Sequence, residues 1–235
     1  MTSSEIIRIL QEHSLRIFTT ADFITLTGLS DVTATKALSR LAAQNLVVRI
    51  KRGVWVNKLA SELNPYEAVP FLRAPWPAYL SLHSALADHG VIEEIPHVIY
   101  AVTSTMPRRY STPIGQFRFH HLPERLIWGF EIRQTAAGTY PVADREKAFL
   151  DLIYLALTPR SPLQLPHKRG RLWELDKARL TVYARRFQYL PLESWLKANS
   201  LWIPGARLNE KSAAAPSGDP RLLKCDLPAW RAYPA

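Results

Sequence analysis

The sequence predicts an α+β protein in which an N-terminal winged helix-turn-helix precedes a mixed α/β C-terminal domain. Three observations carry that expectation. Residues 20–56 run through a helix, a turn at Thr27-Gly28-Leu29-Ser30, a second helix, and two short apolar β segments joined by Lys51-Arg52-Gly53. Beyond residue 65, strand-like and helix-like stretches are interspersed without an internal repeat. The 235 residues are 47% hydrophobic and 21% charged, the balance of a globular chain large enough for one large domain or two small ones.

Along the first 58 residues each element has a local cause. Residues 3–13 place Ile6, Ile7, Ile9 and Leu10 on one side of a helix, with Ser3 or Ser4 as its cap. Thr19 or Thr20 caps the next helix, where Asp22 meets the positive end of the dipole. Ser30 caps the third helix beside Asp31, and Asn45 suits the position that ends it. Residues 46–50 and 54–56 are β-branched and apolar, and Lys51-Arg52-Gly53 turns them into a hairpin. Residues 1–58 are thus expected to close as one domain, followed by a linker over 57–65.

The second domain is expected to span residues 66–205. Helices are read at 66–72, at 79–89 ending on Gly90, and at 144–157, with two more near 171–188 and 191–199. Strands are read at 97–103, 117–121, 128–133 and 139–142. Residues 159–170 form a proline-rich loop, and residues 206–235 an irregular C-terminal tail.

Net charge is +10, and the sequence pI of about 9.9 favours a polyanionic partner. The single cysteine, Cys225, excludes an internal disulfide framework and fits the cytoplasm. Charges interrupt the apolar positions of the first fifteen residues, and no window approaches a membrane span, so neither a signal peptide nor a membrane is expected.

On a helical wheel beginning at Thr33, residues Ala34, Leu38 and Leu41 form an apolar stripe flanked by Ala37 and Ala42. Thr33, Lys36, Ser39 and Arg40 fall on the opposite side, with the small Ala43 among them. A recognition helix needs that division, because one face docks on its neighbours and the other meets bases or phosphates in the major groove. Arg49, Lys51 and Arg52 cluster at the wing. The candidate interface for double-stranded DNA is therefore Thr33, Lys36, Ser39, Arg40, Arg49, Lys51 and Arg52; the bland reading is a surface helix and a solvated hairpin.

A second basic region contains Arg160, Lys168, Arg169, Arg171, Lys177, Arg179, Arg185 and Arg186, with Tyr183 and Phe187 among them. It reads equally as a second surface for nucleic acid or an acidic partner, and as a solvated helix face whose aromatics join the core. Catalytic constellations are not found. Asp144 and Glu146-Lys147 superficially suggest a nuclease, but adjacent helical side chains diverge by about 100°, and acids at a helix start are ordinary dipole partners. No histidine pair has i,i+4 spacing: His83 and His89 fall on different faces, and His120-His121 alternate across a strand. There is no G-x-S-x-G elbow and no phosphate-cradling glycine loop. No enzyme, metal or cofactor is expected.

The order of segments resembles the AbiEi family of antitoxins of type IV toxin–antitoxin systems. The resemblance rests on residues 49–55 (RIKRGVW), 79–90 (YLSLHSALADHG), 98–103 (VIYAVT), 117–122 (FRFHHL) and 141–152 (PVADREKAFLDL), the last being similar to the family's "ERtLLDLl" helix. It implies an autorepressor that binds inverted repeats in its own promoter and, through its second domain, counteracts a nucleotidyltransferase-like toxin in abortive infection. Direct toxin binding, and whether a monomer or dimer sits on DNA, stay open. The alternative is a winged-helix transcription factor whose second domain senses a ligand or dimerises.

Overall fold

The computed structural model describes residues 1–60, 63–94, 96–135, 138–166 and 173–207. It is mixed α+β, with helices and a small sheet first and a larger sheet after them. The N-terminal part runs α1 (Ser3–Glu12), β1 (Ile17–Thr19), α2 (Thr20–Thr27), α3 (Asp31–Ala43), β2 (Val47–Lys51) and β3 (Val54–Asn57). The cap of α1 is Thr2 in place of Ser3 or Ser4: its hydroxyl accepts from the Glu5 amide while the Glu5 carboxylate accepts from the Thr2 amide. Only Thr2 has a glutamate at the third helical position, and that reciprocal pairing decides the start. The same box, Thr19 with Asp22, opens α2. Gly28 ends α2 in the left-handed conformation, and Asn45 adopts a φ of +59° just after α3.

The three short strands pair antiparallel in the order β1-β3-β2, and both faces of this sheet are buried. Phe18, Val47 and Trp55 pack with Ile6, Leu10, Phe23, Leu38 and Leu41 of the helices. Ile17, Ile50, Val54 and Val56 point the other way, into the core of the remaining chain. The first 57 residues therefore do not bury all their apolar surface among themselves. Arg16 and Glu67 add an ion pair across the junction at 3.1 Å, and the Glu67 carboxylate also accepts from the Asn64 amide. Gly138 lies against Glu67 with a φ of +140°, where a Cβ would come within 2.6 Å of the carboxylate.

The larger sheet has the order β6-β7-β5-β4-β9-β8, made of β4 (Ala78–Leu80), β5 (Val98–Thr103), β6 (Arg108–Thr112), β7 (Gly115–His121), β8 (Phe130–Thr135) and β9 (Gly138–Ala143). A short 3₁₀ turn and α4 (Ala68–Arg73) cover one face near β9. On the other side of the sheet lie α5 (Leu82–Asp88) and α6 (Arg145–Leu157), backed by α7 (Lys177–Phe187) and α8 (Leu190–Ala198).

Two readings of the sequence differ here. The helix expected at 79–89 is shorter, because Ala78, Tyr79 and Leu80 form β4 at the centre of the sheet, and Ser81 begins α5. A three-residue buried strand has no visible period, so its apolar residues were absorbed into the following helical pattern. Arg108–Thr112 is an edge strand whose charged, hydroxylated composition carries no apolar alternation. The expected tail from 206 lies outside the described residues beyond 207.

α6 is fixed to the sheet by a buried polar network. The Lys147 ammonium is fully buried, donates to the Tyr79 hydroxyl at 2.9 Å, and pairs with the Asp151 carboxylate. Asp151 also accepts from Ser81 at 2.8 Å and from Tyr79 at 3.3 Å. Trp128 and Phe187 enclose the ammonium, with ring centres 5.0 and 5.2 Å away. Gly129 makes room for the Lys147 stem, since a Cβ there would lie 3.0 Å from it. Burial pushes the lysine pKa down and the aspartate pKa up, while their mutual attraction opposes both shifts. Removing one partner strands a charge in the core. Asp151→Asn is therefore expected to lose about 3–5 kcal/mol of stability, whereas Lys147→Met with Asp151→Leu recovers most of that loss; urea denaturation of the two variants checks this.

Candidate nucleic-acid interface

α3 is amphipathic in the sense the sequence requires. Ala34, Ala37, Leu38 and Leu41 are buried against α1 and α2, and Thr33, Lys36, Ser39 and Arg40 are exposed on the opposite side. The Ser30 hydroxyl caps the helix, accepting from the Thr33 amide, and lies 2.9 Å from the Thr33 hydroxyl. Thr33 is thus held at the helix start. Arg40 extends along the surface and donates to the Met1 carbonyl at 3.3 Å. The structure adds one residue to this face. Val32 is 65% exposed beside Thr33 and Lys36. Its wheel position already pointed there, but an apolar residue at a helix start is easily assigned to the core.

The hairpin divides the three wing cations. Its register shifts between Arg49 and Lys51, with Ile50 turned inward between them. Arg49 and Arg52 are exposed, while Lys51 is half-buried and donates to the Leu72 carbonyl at the end of α4, 3.1 Å away. Lys51, read with Arg49 and Arg52 as a phosphate or minor-groove contact of the wing, reaches across the junction to the second half, an arrangement that needs α4 in place and leaves no trace in local sequence. Gly53 turns the hairpin with a φ of +74°. The Trp55 indole donates to the Thr20 hydroxyl at 3.0 Å, which anchors the hairpin to α2.

The second basic region is described only in part. Lys168, Arg169 and Arg171 lie outside the described residues. Lys177 is exposed at the start of α7, whereas Arg179 packs 3.8 Å from the Glu146 carboxylate. Arg185 donates to the Ala206 carbonyl at 2.9 Å and lies over Trp202; Arg186 stacks on Trp128 at 3.9 Å. Tyr183 and Phe187 are buried in the core, as the bland reading required.

The acidic residues near α6 each have structural partners. Asp144 caps the helix through the Lys147 amide at 2.7 Å and accepts from the Tyr183 hydroxyl at 3.0 Å. Glu146 accepts from the Asp176 amide at 2.9 Å. Among the described residues no group of three or more histidine, cysteine, aspartate or glutamate side chains is placed to hold a metal. No helix there is long and apolar enough to cross a membrane.

The geometry of α1 to β3 coincides with a family match. Residues 4–58 match the AbiEi antitoxin family of transcriptional regulators. The match ends one residue beyond β3, so the regulator-type segment contains α3 and the hairpin; the segments at 79–90, 98–103, 117–122 and 141–152 lie outside it. No curated protein matches the chain.

Burial raises the Asp144 pKa from 3.8 to about 6, against the opposing hydrogen bond from Lys147. A carboxyl raised in the fold contributes stability that is present below its unfolded pKa and is lost as pH rises through the folded value. Between pH 7 and pH 4 the wild type is thus expected to gain about 2 kcal/mol relative to Asp144→Asn. Urea denaturation of both proteins at the two pH values checks the sign and the size.

Proposed function

We propose that residues 1–58 are a winged helix-turn-helix that binds double-stranded DNA, with α3 as the recognition helix and the β2–β3 hairpin as the wing. The observation that carries the reading is the exposed face of Val32, Thr33, Lys36, Ser39 and Arg40 on the third helix of the segment that matches a regulator family. Lys36 and Arg40 supply cations for guanine edges or phosphates, Thr33 and Ser39 supply hydroxyls, and Val32 suits a thymine methyl. Arg49 and Arg52 supply the wing's phosphate contacts. Lys51 positions the wing against the second half.

The wider reading is a cytoplasmic autorepressor and antitoxin of a type IV, abortive-infection operon. Inverted repeats in its own promoter would be the operator, and a nucleotidyltransferase-like toxin would be the protein it counteracts. No catalytic step is assigned to the chain: Asp144, Glu146 and Lys147, the nearest approach to a nuclease triad, are engaged in capping and packing. The ordered segments between 79 and 152 support the antitoxin half by resemblance.

Promoter binding measured by fluorescence anisotropy over a range of salt tests the DNA half. Lys36→Ala and Arg40→Ala are each expected to weaken binding by about 1–3 kcal/mol if they read bases. Arg52→Ala should lower the salt slope by about 0.9, and Lys51→Ala should leave that slope unchanged. Undiminished affinity in both α3 variants would place the recognition helix elsewhere. Co-expression with the neighbouring nucleotidyltransferase gene tests the antitoxin half; failure to rescue growth would leave a transcription factor whose second half senses a ligand or dimerises.

A further inference from the structure

The larger sheet carries a compact cationic cluster that the DNA-binding reading does not use. Along β7, Phe117 and Phe119 turn into the core beneath α4, so Arg118 and His120 necessarily point to the opposite face. Register places Tyr100 of β5 and Arg109 of β6 directly beside Arg118. His83 of α5 closes the group, its ring 5.3 Å from Tyr100. Tyr100 also stacks on His120 at 6.1 Å and lies under the Arg118 guanidinium at 5.7 Å. These contacts hold one arginine and two imidazoles around one aromatic ring, and Arg109 stands on the far side of Arg118 on the same face.

Three nitrogens of this cluster are buried without a protein partner among the described residues: Arg118 Nε, His120 Nε2 and His83 Nδ1. His120 is only 9% exposed, so water reaches it poorly. Unpaired buried nitrogens each cost about 1–3 kcal/mol, and their concentration at one place calls for an acceptor. Like charges meet there as well. Arg118, His83 and Arg109 add to burial in holding the His120 pKa down to about 4, while Glu94 opposes the burial that lowers His83. Two permanent positive charges and two neutral imidazoles match an acceptor carrying up to two negative charges.

The geometry points to an oxyanion site formed by His83, Arg109, Arg118 and His120, suited to a phosphoryl group. Arg118 and Arg109 supply the charge, and the imidazoles, in the tautomers that carry hydrogen on His120 Nε2 and His83 Nδ1, donate to the remaining oxygens. Tyr100 positions the cluster. The site lies on the sheet face opposite the one where Tyr110 and Lys51 share the Leu72 carbonyl, so it is separate from the junction that holds the wing.

The test is imidazole NMR on the full-length chain, titrated with inorganic phosphate and then with a nucleoside triphosphate in a non-coordinating buffer. Saturable shifts of the His120 and His83 resonances are expected, with the His120 pKa rising from about 4 towards the ordinary histidine value of 6.5. Arg118→Gln should bind phosphate at least about tenfold more weakly, the size of one charge-assisted hydrogen bond, and Arg118→Lys should lie between. His120→Gln gives a second variant should Arg118→Gln not fold. Absence of a saturable shift, or unaltered affinity in a folded Arg118→Gln or His120→Gln protein, overturns the site. Adding a promoter duplex then distinguishes two sources that both uphold it. Displacement of phosphate assigns the group to the DNA backbone, and persistence assigns it to a free phosphate or nucleotide.

Discussion

The rest of the structure depends on a sheet of three short strands that is buried on both faces. Each of its strands alternates, and here both sets of side chains are apolar: Phe18, Val47 and Trp55 on one side, Ile17, Ile50, Val54 and Val56 on the other. A sheet of this kind cannot present either face to water without exposing several large hydrophobic groups. The three helices cover the first face and the α/β half covers the second. The junction is therefore not a flexible tether between two finished units. It is a shared layer, reinforced by the Arg16–Glu67 pair and by the Lys51 ammonium on the Leu72 carbonyl.

That constraint bears on regulation. The hairpin proposed as the wing is tied to the end of α4 by the Lys51 ammonium on the Leu72 carbonyl. Whatever alters the second half can alter the hairpin through Lys51 and Leu72 and through Ile50, Val54 and Val56, which pack into its core. The carbonyl of Leu72 also accepts from the Tyr110 hydroxyl at 2.9 Å, which ties the edge strand β6 to the same point. The larger sheet is organised around a different polar centre, with Lys147 and Asp151 joining α6 to the central strand β4. The two centres differ in kind: one is half-exposed and joins the halves, and the other is fully buried and orders one of them.

Polar residues in this chain were poorly legible when their partners were distant. Lys147 and Asp151 are four apart on a helix and could be paired on paper, but nothing local reveals that Tyr79, Ser81 and Trp128 enclose them. His83 and His120 looked like isolated histidines because 36 residues separate them, and the parallel pairing of β5 with β7 is what brings their neighbourhoods together. Arg108–Thr112 was missed as a strand because an edge strand needs only one partner and no apolar face.

The sequence by itself determined the local order of the N-terminal part. Capping residues, the glycine after α2 and the apolar stripe of α3 act within one or two turns, so Ser30 and Gly28 mark boundaries, and Ala34, Leu38 and Leu41 mark the buried face, without reference to the rest. It also determined that Thr33, Lys36, Ser39 and Arg40 share a side. Tertiary pairing alone brings Lys51 to the Leu72 carbonyl, makes Tyr79 a strand residue and sets Arg118 and His120 beside His83. Those outcomes rest on pairings between residues far apart in the chain, whose energies depend on burial and partner geometry that no short window of sequence contains.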